Sequence, residues 1–592
     1  MVAELSDKVD VWLKKRITGA MQIALEQEHR ADTSEDLVPG VEASARHHLG
    51  REVIASPWKF RDTAMLLGSI LLLFAVALWC EHGRIFWEDE VLGWTLLNDP
   101  SFNHMIASWV HGADGGGISF YLTGRLWLKL FGPSMAAFRL YSQVCFAAAF
   151  ALFWICLRRF YQPGLAAFAM LSVWLVSPPM VQHMGEGRFY GALMATVAWG
   201  IWLNLRVQDR PSVSASLYVA MFFCHALMVT SQMLGVVYSA VLLIWLVWLD
   251  RSQGQWRPRL YAAAAASWLL VILSLPAIRA SAAVGRPFFW TTQPSPLEFG
   301  LDYTGFSPVL ALPLGLLLLY LSVRIWRSGR AVKEIAEHIG ARHSLYRLAF
   351  LLFLVPLLFL LEGTVGPPLC VSRYLLPVIF ATTIAMAELM TQATEAMPAW
   401  MSKERVIGTA WCVFLGMLLG YDLAYRPHRT LQQKDYTLAL TNSLPRGVPV
   451  VCEDSFAFTE LMYRQPRSGV LYTYLLDWQN SVAAPTRRME VTHFHLMQNW
   501  KRAGYYSDAI HSSTAFLART PEFYTLSFEE VEKRGFFGRE KMVSRAEIIG
   551  SDLHERLTAD PRFRVTLFRL LPLGKLRASV WQVCRVGDRA CP

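Results

Sequence analysis

The chain has 592 residues, 54% of them hydrophobic and 17% charged. A soluble globular protein carries about 25% charged residues, so this composition excludes an ordinary soluble domain. The net charge of +10 needs no nucleic-acid partner, since basic residues on the cytoplasmic side of a membrane protein account for it.

Residues 1–60 carry an apolar stripe at Leu5, Val9, Trp12, Leu13, Ile17, Met21 and Ala24, with Lys14, Lys15 and Arg16 beside it. That spacing is helical. It fits an amphipathic helix on anionic lipid, or equally a helix packed on the cytoplasmic face or on a partner. The first long apolar run, Ala64–Trp79, begins after this polar segment, so the reading contains no cleavable signal peptide.

From there to about residue 424, apolar runs recur at lengths suited to a ~30 Å hydrocarbon core. About eleven spans are expected, near 62–80, 136–156, 163–179, 189–207, a tight pair over 215–250, 260–279, 307–324, 346–361, 375–391 and 405–424. Lys- and Arg-rich loops alternate with the others. The positive-inside rule places the N-terminus, Arg158-Arg159, 251–259 and 324–347 in the cytoplasm. The acidic first loop, the loop holding Gly185–Arg188, and the tail fall outside. The expected domains are 1–60, a membrane domain over 61–428 and a soluble α/β domain over 429–592.

In the tail, "VPVVCED" and "FRVTLFRLL" read as strands, and "SFEEVEKRGFF" and "RAEIIGSDLHERL" as helical. The nine cysteines form no CxxC or Cys/His zinc pattern. Cys452, Cys584 and Cys591 fall in the outer, oxidising compartment, where a disulfide among them is open. The chain has no N-x-S/T sequon, which fits a bacterial source.

Just beyond the first span lies "WEDE", Trp87–Glu90, followed by an amphipathic run through Val91, Leu92, Trp94, Leu96 and Leu97. Such carboxylates are either ordinary loop charge or a site at the membrane boundary. The same loop continues with Asp114, three glycines and a second amphipathic stretch ending "FGPSMAAFRLYS".

Four segments together resemble one family. "WEDE" is similar to the acidic first-loop motif of C-type (GT-C) glycosyltransferases with a dolichyl-phosphate-mannose-protein mannosyltransferase-like domain. "GGGISFYLTGRLWLKLFGPSMAAFRLYS" is similar to their following amphipathic stretch, "SPPMVQHMGEGRFYGALMA" to their EARMY segment, and "VSRYLLP" to their late RYLLP element. Order and spacing agree over about 80–380. The group includes bacterial lipid A aminoarabinose transferase-like enzymes.

The resemblance implies a polytopic membrane enzyme of the inner membrane with its site on the periplasmic side. The donor it implies is a sugar on a polyprenyl phosphate, and the acceptor a glycolipid, polysaccharide or protein. Asp89 would be the base that takes the acceptor proton, with Glu90 beside it, and the sugar carbon would invert. Arg188, Arg373 and Arg286 would hold the leaving phosphate. Glu186, Tyr190, Tyr374 and Asp114 complete the expected substrate contacts, with Glu186 read as an ion-pair partner that holds Arg188. No cofactor is implied with certainty. A divalent metal stays open, including one held by His104, His111 and His183 with Asp89.

Two departures stand out. "GGGISF" replaces a His-Pro-Pro element, and Gln232 in "TSQMLG" replaces a histidine. Phe288-Phe289-Trp290 reads either as a groove for an isoprenoid tail or as an interfacial aromatic belt. The competing reading of the whole chain is a transporter or flippase of lipid-linked saccharides, which would more often show internal repeats and mid-span charges.

Overall fold

The computed structural model describes residues 58–81, 86–210, 212–282, 342–366, 368–395, 402–430, 436–464, 466, 468–483, 488–533, 540–544, 553–573 and 576–587. All belong to the larger of two compact units, Ile54–Ile335 with Arg342–Pro592. The N-terminal stripe, the span expected at 307–324, Arg286, Phe288–Trp290 and Cys591 lie outside the described residues.

Apolar surroundings offer a peptide group no water partner, so the apolar runs fold as helices that satisfy their own backbones. The elements begin with α1 (Phe60–Glu81), α2 (Glu88–Leu97), α3 (Phe102–Val110), α4 (Ile118–Phe131) and α5 (Met135–Leu157). Next come α6 (Pro163–Trp174), α7 (Pro178–Met184), α8 (Tyr190–Gln208), α9 (Ala215–Ser231) and α10 (Gly235–Ser252). The helical region closes with α11 (Pro258–Ala266), α12 (Val271–Ala282), α13 (His343–Val365), α14 (Ile379–Glu395) and α15 (Lys403–Thr430).

Among the described residues six helical segments are long and apolar enough to cross a membrane, or seven if the bent pair α6 and α7 is one span. Eleven were expected. Two of the differences have local causes. α9 is apolar but only 17 residues long, and α8 carries Asn204, Arg206 and Gln208.

Two sequence features shape the region that matters most. Ser177 precedes Pro178-Pro179, and a residue before proline is pushed out of the helical region. Ser177 is extended (φ −69°, ψ 112°), and α7 leaves α6 at 87°. That bend carries the Gly185–Arg188 turn toward the first loop. Gly132 supplies a positive φ of 84° before Pro133, and Ser134 then caps α5 by accepting from the Ala137 amide. The turn sets Arg139 within the second turn of α5.

The C-terminal part is an α/β domain, with α16 (Thr437–Thr441), β1 (Pro449–Cys452), α17 (Ser455–Arg464), β2 (Leu471–Leu476), α18 (Trp478–Ala483) and α19 (Arg488–Arg502). β3 (Ile510–Ser512), α20 (Ser513–Arg519), β4 (Glu522–Lys533), β5 (Glu540–Ser544), α21 (Leu553–Ala559), β6 (Phe563–Leu573) and β7 (Leu576–Arg585) follow. The sheet order is β3-β2-β1-β4-β7-β6, with β5 on β4. β3, β2, β1 and β4 run parallel, and β7 and β6 continue antiparallel.

The strands expected in "VPVVCED" and "FRVTLFRLL" are β1 and β6. The helix expected in "SFEEVEKRGFF" is a correction: Ser527–Lys533 lies in β4. There β4 pairs with β7 over Glu522–Glu530 and with β5 over Glu529–Lys533. Cross-strand pairing on both sides overrides the local helical preference. "RAEIIGSDLHERL" is described only from Leu553, where α21 begins. Of the cysteines weighed for a disulfide, Cys452 is a free thiol and Cys584 is disulfide-bonded.

The α/β domain and the first loop share one core. Tyr463 of α17 stacks on Phe86 at 5.4 Å and meets Trp94 edge-on at 6.4 Å. Trp500 Nε1 donates to the Ala113 carbonyl (2.8 Å), and Tyr505 Oη donates to Asp99 (2.6 Å).

Candidate active site

α2 opens with three acidic residues in its first turn, where the positive end of the helix dipole favours them. Successive helical residues step by about 100°, so neighbours do not face each other. The three carboxylates therefore radiate into three different settings.

Glu90 points into the membrane domain. Arg139 Nε and Nη2 donate to its two oxygens, each at 2.8 Å, and the Gly187 amide donates at 2.9 Å. Glu90 is fully buried and Arg139 nearly so. This is the fork-to-fork geometry of a strong charge-assisted pair. The close approach requires glycine at 187, because a Cβ there would stand 2.3 Å from the Phe138 ring.

Asp89 lies against two guanidiniums. Arg373 Nη1 is 3.3 Å and Arg188 Nη2 3.7 Å from Asp89 Oδ2, and Arg188 Nη1 donates to the Asp89 carbonyl at 2.5 Å. The Asp89 side chain keeps 22% of its surface, while those of Glu88 and Glu90 keep 3% and 0%. Asp89 is thus the carboxylate of this turn that an incoming molecule can reach.

Arg188 is itself held by Asp114, with both carboxylate oxygens 3.3 Å from Nη1. Asp114 also takes the Tyr121 hydroxyl and the Gly115 amide. Tyr190 is buried beside the two arginines, and Arg373 lies over the Tyr374 ring at 5.5 Å. The Tyr374 carbonyl accepts from Tyr238 Oη at 2.6 Å, which ties the Ser372–Val378 turn to α10.

The structure thus brings Asp89, Arg188, Arg373, Asp114, Tyr190 and Tyr374 into one neighbourhood. Glu186 differs from expectation. Its carboxylate takes His183 Nδ1 (2.6 Å) and Gln182 Nε2 (3.2 Å), and Arg188 is braced by Asp114 and Asp89 instead. The reason is local: His183 and Gln182 sit one helical turn before Glu186 and reach it first.

The histidines considered for a metal are separately engaged. His104 bonds to Asp99 and the Ala503 carbonyl, His111 to the Ala107 carbonyl and His183 to Glu186. Among the described residues no three of His, Cys, Asp and Glu stand together as metal ligands. The donor set suits a guanidinium-held phosphate better than a metal-held one.

The two departures from the family pattern touch each other. The Gly117 amide donates to the Ser231 carbonyl at 3.1 Å, and a Cβ on Gly117 would meet the Thr230 carbonyl at 2.1 Å. Glycine therefore lets the first loop pack onto the "TSQMLG" turn, where Gln232 is buried with Oε1 unpartnered.

Glu88 was not singled out in the sequence. It turns toward the α/β domain, where Ser455 Oγ donates to it at 2.9 Å and His493 Nε2 lies 3.8 Å away. Burial, with Asp89, Asp454 and Glu460 nearby, raises the Glu88 pKa well above its usual value. Burial lowers the His493 pKa to about 4. Burial thus favours the uncharged form of both groups.

The fold and this site define a class: the chain has the C-type glycosyltransferase fold. It is similar to ArnT from Cupriavidus metallidurans bound to undecaprenyl phosphate, at 13% identity and TM-score 0.50, over 88% of this chain and 98% of that one. The apo form of ArnT from the same organism is similar at 12% identity and TM-score 0.51, with the same coverage. The archaeal oligosaccharyltransferase AglB from Archaeoglobus fulgidus, in complex with an inhibitory peptide and a dolichol-phosphate, gives 10% identity and TM-score 0.40 over 82% of this chain and 74% of that one. No family model matches the chain, and no curated protein matches it by sequence.

Proposed function

We propose that this membrane protein is an inverting glycosyltransferase that moves a sugar from a polyprenyl phosphate to an acceptor hydroxyl at the outer face of a bacterial inner membrane. The observation that carries this reading is Asp89: a reachable carboxylate flanked by Arg188 and Arg373. The likeness to ArnT, whose structure holds undecaprenyl phosphate, supports the donor class.

The chemistry follows from the charges. In the free site the guanidiniums neutralise Asp89. A lipid phosphodiester entering between them takes over Arg373 and Arg188, and frees the carboxylate to act as a base. The acceptor oxygen attacks the anomeric carbon from the face opposite the phosphate. Its proton passes to Asp89, the new C–O bond forms, and the bond to phosphate breaks. The leaving polyprenyl phosphate gains one negative charge, which the two arginines stabilise. Asp89 then returns its proton to solvent. Glu90 and Asp114 are positioning groups, fixing the turn of α2 and the Arg188 fork. The acceptor is a glycolipid, polysaccharide or protein, and residues 429–592 form the domain that covers the site.

The test is Asp89→Asn in detergent-purified protein supplied with polyprenyl-phosphate sugar. Transfer falls about 10²–10⁴-fold, as expected for loss of a general base, while binding of undecaprenyl phosphate survives. Arg373→Ala weakens binding of that lipid. Full transfer by Asp89→Asn rejects the reading. Mass spectrometry of lipid-linked sugars from cells with and without the gene then names the donor.

A further inference from the structure

We propose that Trp500 and Asn499, on α19 of the α/β domain, are positioning residues for the donor phosphate: they fix the loop over residues 112–117, whose Asp114 aims Arg188. The part played by the phosphate rests on the transferase reading above. The hold on the loop rests on contacts alone.

The loop has little shape of its own. Residues 112–117 read "GADGGG", four glycines in six. Glycine has the widest backbone freedom and loses the most when ordered. Gly112 stands at a φ of 78°. Asp114 nonetheless presents its carboxylate at one point, with both oxygens 3.3 Å from Arg188 Nη1. The Gly115 amide and the Tyr121 hydroxyl set the angle of that carboxylate. The main chain that carries it needs other ties.

Those ties run to the loop's carbonyls. Trp109 Nε1, from the first loop itself, donates to Gly116 at 2.7 Å. Two more donors come from adjacent positions of α19. Trp500 Nε1 donates to the carbonyl of Ala113, the residue before Asp114, at 2.8 Å, and Asn499 Nδ2 donates to Gly112 at 3.3 Å. Trp500 is fully buried, with the rings of Tyr505 and Tyr506 at 5.6 and 5.5 Å. A close-packed indole keeps one orientation, so its N–H is a fixed point. Gly112 fits against Asn499 closely, since a Cβ there would stand 3.2 Å from Nδ2 and 2.8 Å from Ala280 Cβ. The residues just after α19 dock on the same loop: Tyr505 Oη bonds Asp99, and His104 Nε2 meets the Ala503 carbonyl at 2.7 Å.

A line of contacts therefore runs from Trp500 to Ala113, from Asp114 to Arg188, and from Arg188 to the Asp89 carbonyl. A guanidinium grips phosphate through a rigid fork of donors. A misplacement of about 1 Å at such a site can cost about 10²-fold. The α/β domain is thus part of the donor site as well as its cover.

The experiment uses the full chain in detergent and measures undecaprenyl phosphate binding and hydrogen exchange on the same samples. The variants are Trp500→Phe, Asp114→Asn, the two together, and Trp245→Phe. The last removes an indole bond of equal length elsewhere, from Trp245 Nε1 on α10 to the Ser344 carbonyl at 2.8 Å. Trp500→Phe speeds exchange of the amides at 115–117 and leaves exchange outside the first loop as in the wild type, which shows that it folds. It weakens lipid binding about tenfold, the worth of one buried hydrogen bond. In the Asp114→Asn background it weakens binding no further, because both act through Arg188. Trp245→Phe binds the lipid as the wild type does. Unchanged lipid binding by folded Trp500→Phe, or an equal loss in the Asp114→Asn background, overturns the proposal. A wild type that binds no undecaprenyl phosphate sinks the transferase reading instead, and exchange at 115–117 then decides whether α19 holds the loop.

Discussion

Glu90 and Glu88 are the same residue type, two positions apart on one helical turn, and they solve burial in opposite ways. Glu90 faces the membrane helices and is gripped by Arg139 through two 2.8 Å hydrogen bonds. Glu88 faces the α/β domain, beside a hydroxyl, an imidazole and other acids. One is held by a guanidinium, while burial drives the other toward its protonated form. Asp89, between them, is left accessible. The accessible carboxylate thus has one anchor on each side, and the two anchors belong to different parts of the molecule.

The sharpest way to break this comparison is Glu90→Gln. It removes the carboxylate charge that forks onto the buried Arg139 guanidinium, leaving Glu81 and Glu186 to act on it. Removing one partner of a buried pair costs about 3–5 kcal/mol. Unfolding in detergent, followed by denaturant or heat, should show that loss at neutral pH. A Glu90→Leu, Arg139→Met double variant should regain much of it, since paired apolar groups of similar size carry no desolvation cost. If Glu90→Gln unfolds like the wild type, the pair is not the anchor described here.

The two halves also differ in how much their sequence disclosed. The Glu90 side was legible. "WEDE", "GEGR" and "VSRYLLP" sit at helix ends, and those ends converge because each helix must cross the same slab. Arg139, in the quoted "AAFRLYS", was equally visible and was passed over, although an arginine at the start of an apolar helix needs a partner. The Glu88 side was not legible. Ser455 lies 367 residues away, and His493 sits on a helix whose packing depends on a sheet order that no local pattern encodes. The same limit misassigned "SFEEVEK", whose partner β7 comes from a distant segment and whose other partner is β5. The role of Glu186 failed for a smaller reason: spacing gave a plausible ion pair, but a nearer histidine took it.

A smaller effect separates the anchors at Glu88. Its folded-state pKa is raised above the usual 4.5, so its contribution to stability is full below that value and lost as pH climbs through the raised one. Glu88→Gln mimics the neutral acid and still accepts from Ser455. It should match the wild type near pH 4 and exceed it at pH 8 by on the order of 1 kcal/mol. A loss of stability at pH 8 would mean that Glu88 is ionised there and that the two glutamates are alike after all.

The smallest effect tests the other side of that contact. His493 has a pKa lowered from 6.5 to about 4 by burial, with Asp89 pulling weakly the other way and Glu88 across from it. A depressed histidine contributes stability that is present above 6.5 and lost as pH falls toward 4, because the unfolded chain takes up the proton first. The Glu88 slope runs the opposite way and overlaps this window above pH 4.5, so the two are told apart by comparing the single variants. His493→Phe should flatten the acid limb between pH 6.5 and 4 while leaving the alkaline limb to Glu88. If the acid limb is unchanged in His493→Phe, folding does not depress the imidazole, and burial of an uncharged pair at Glu88, the basis of the contrast with Glu90, fails.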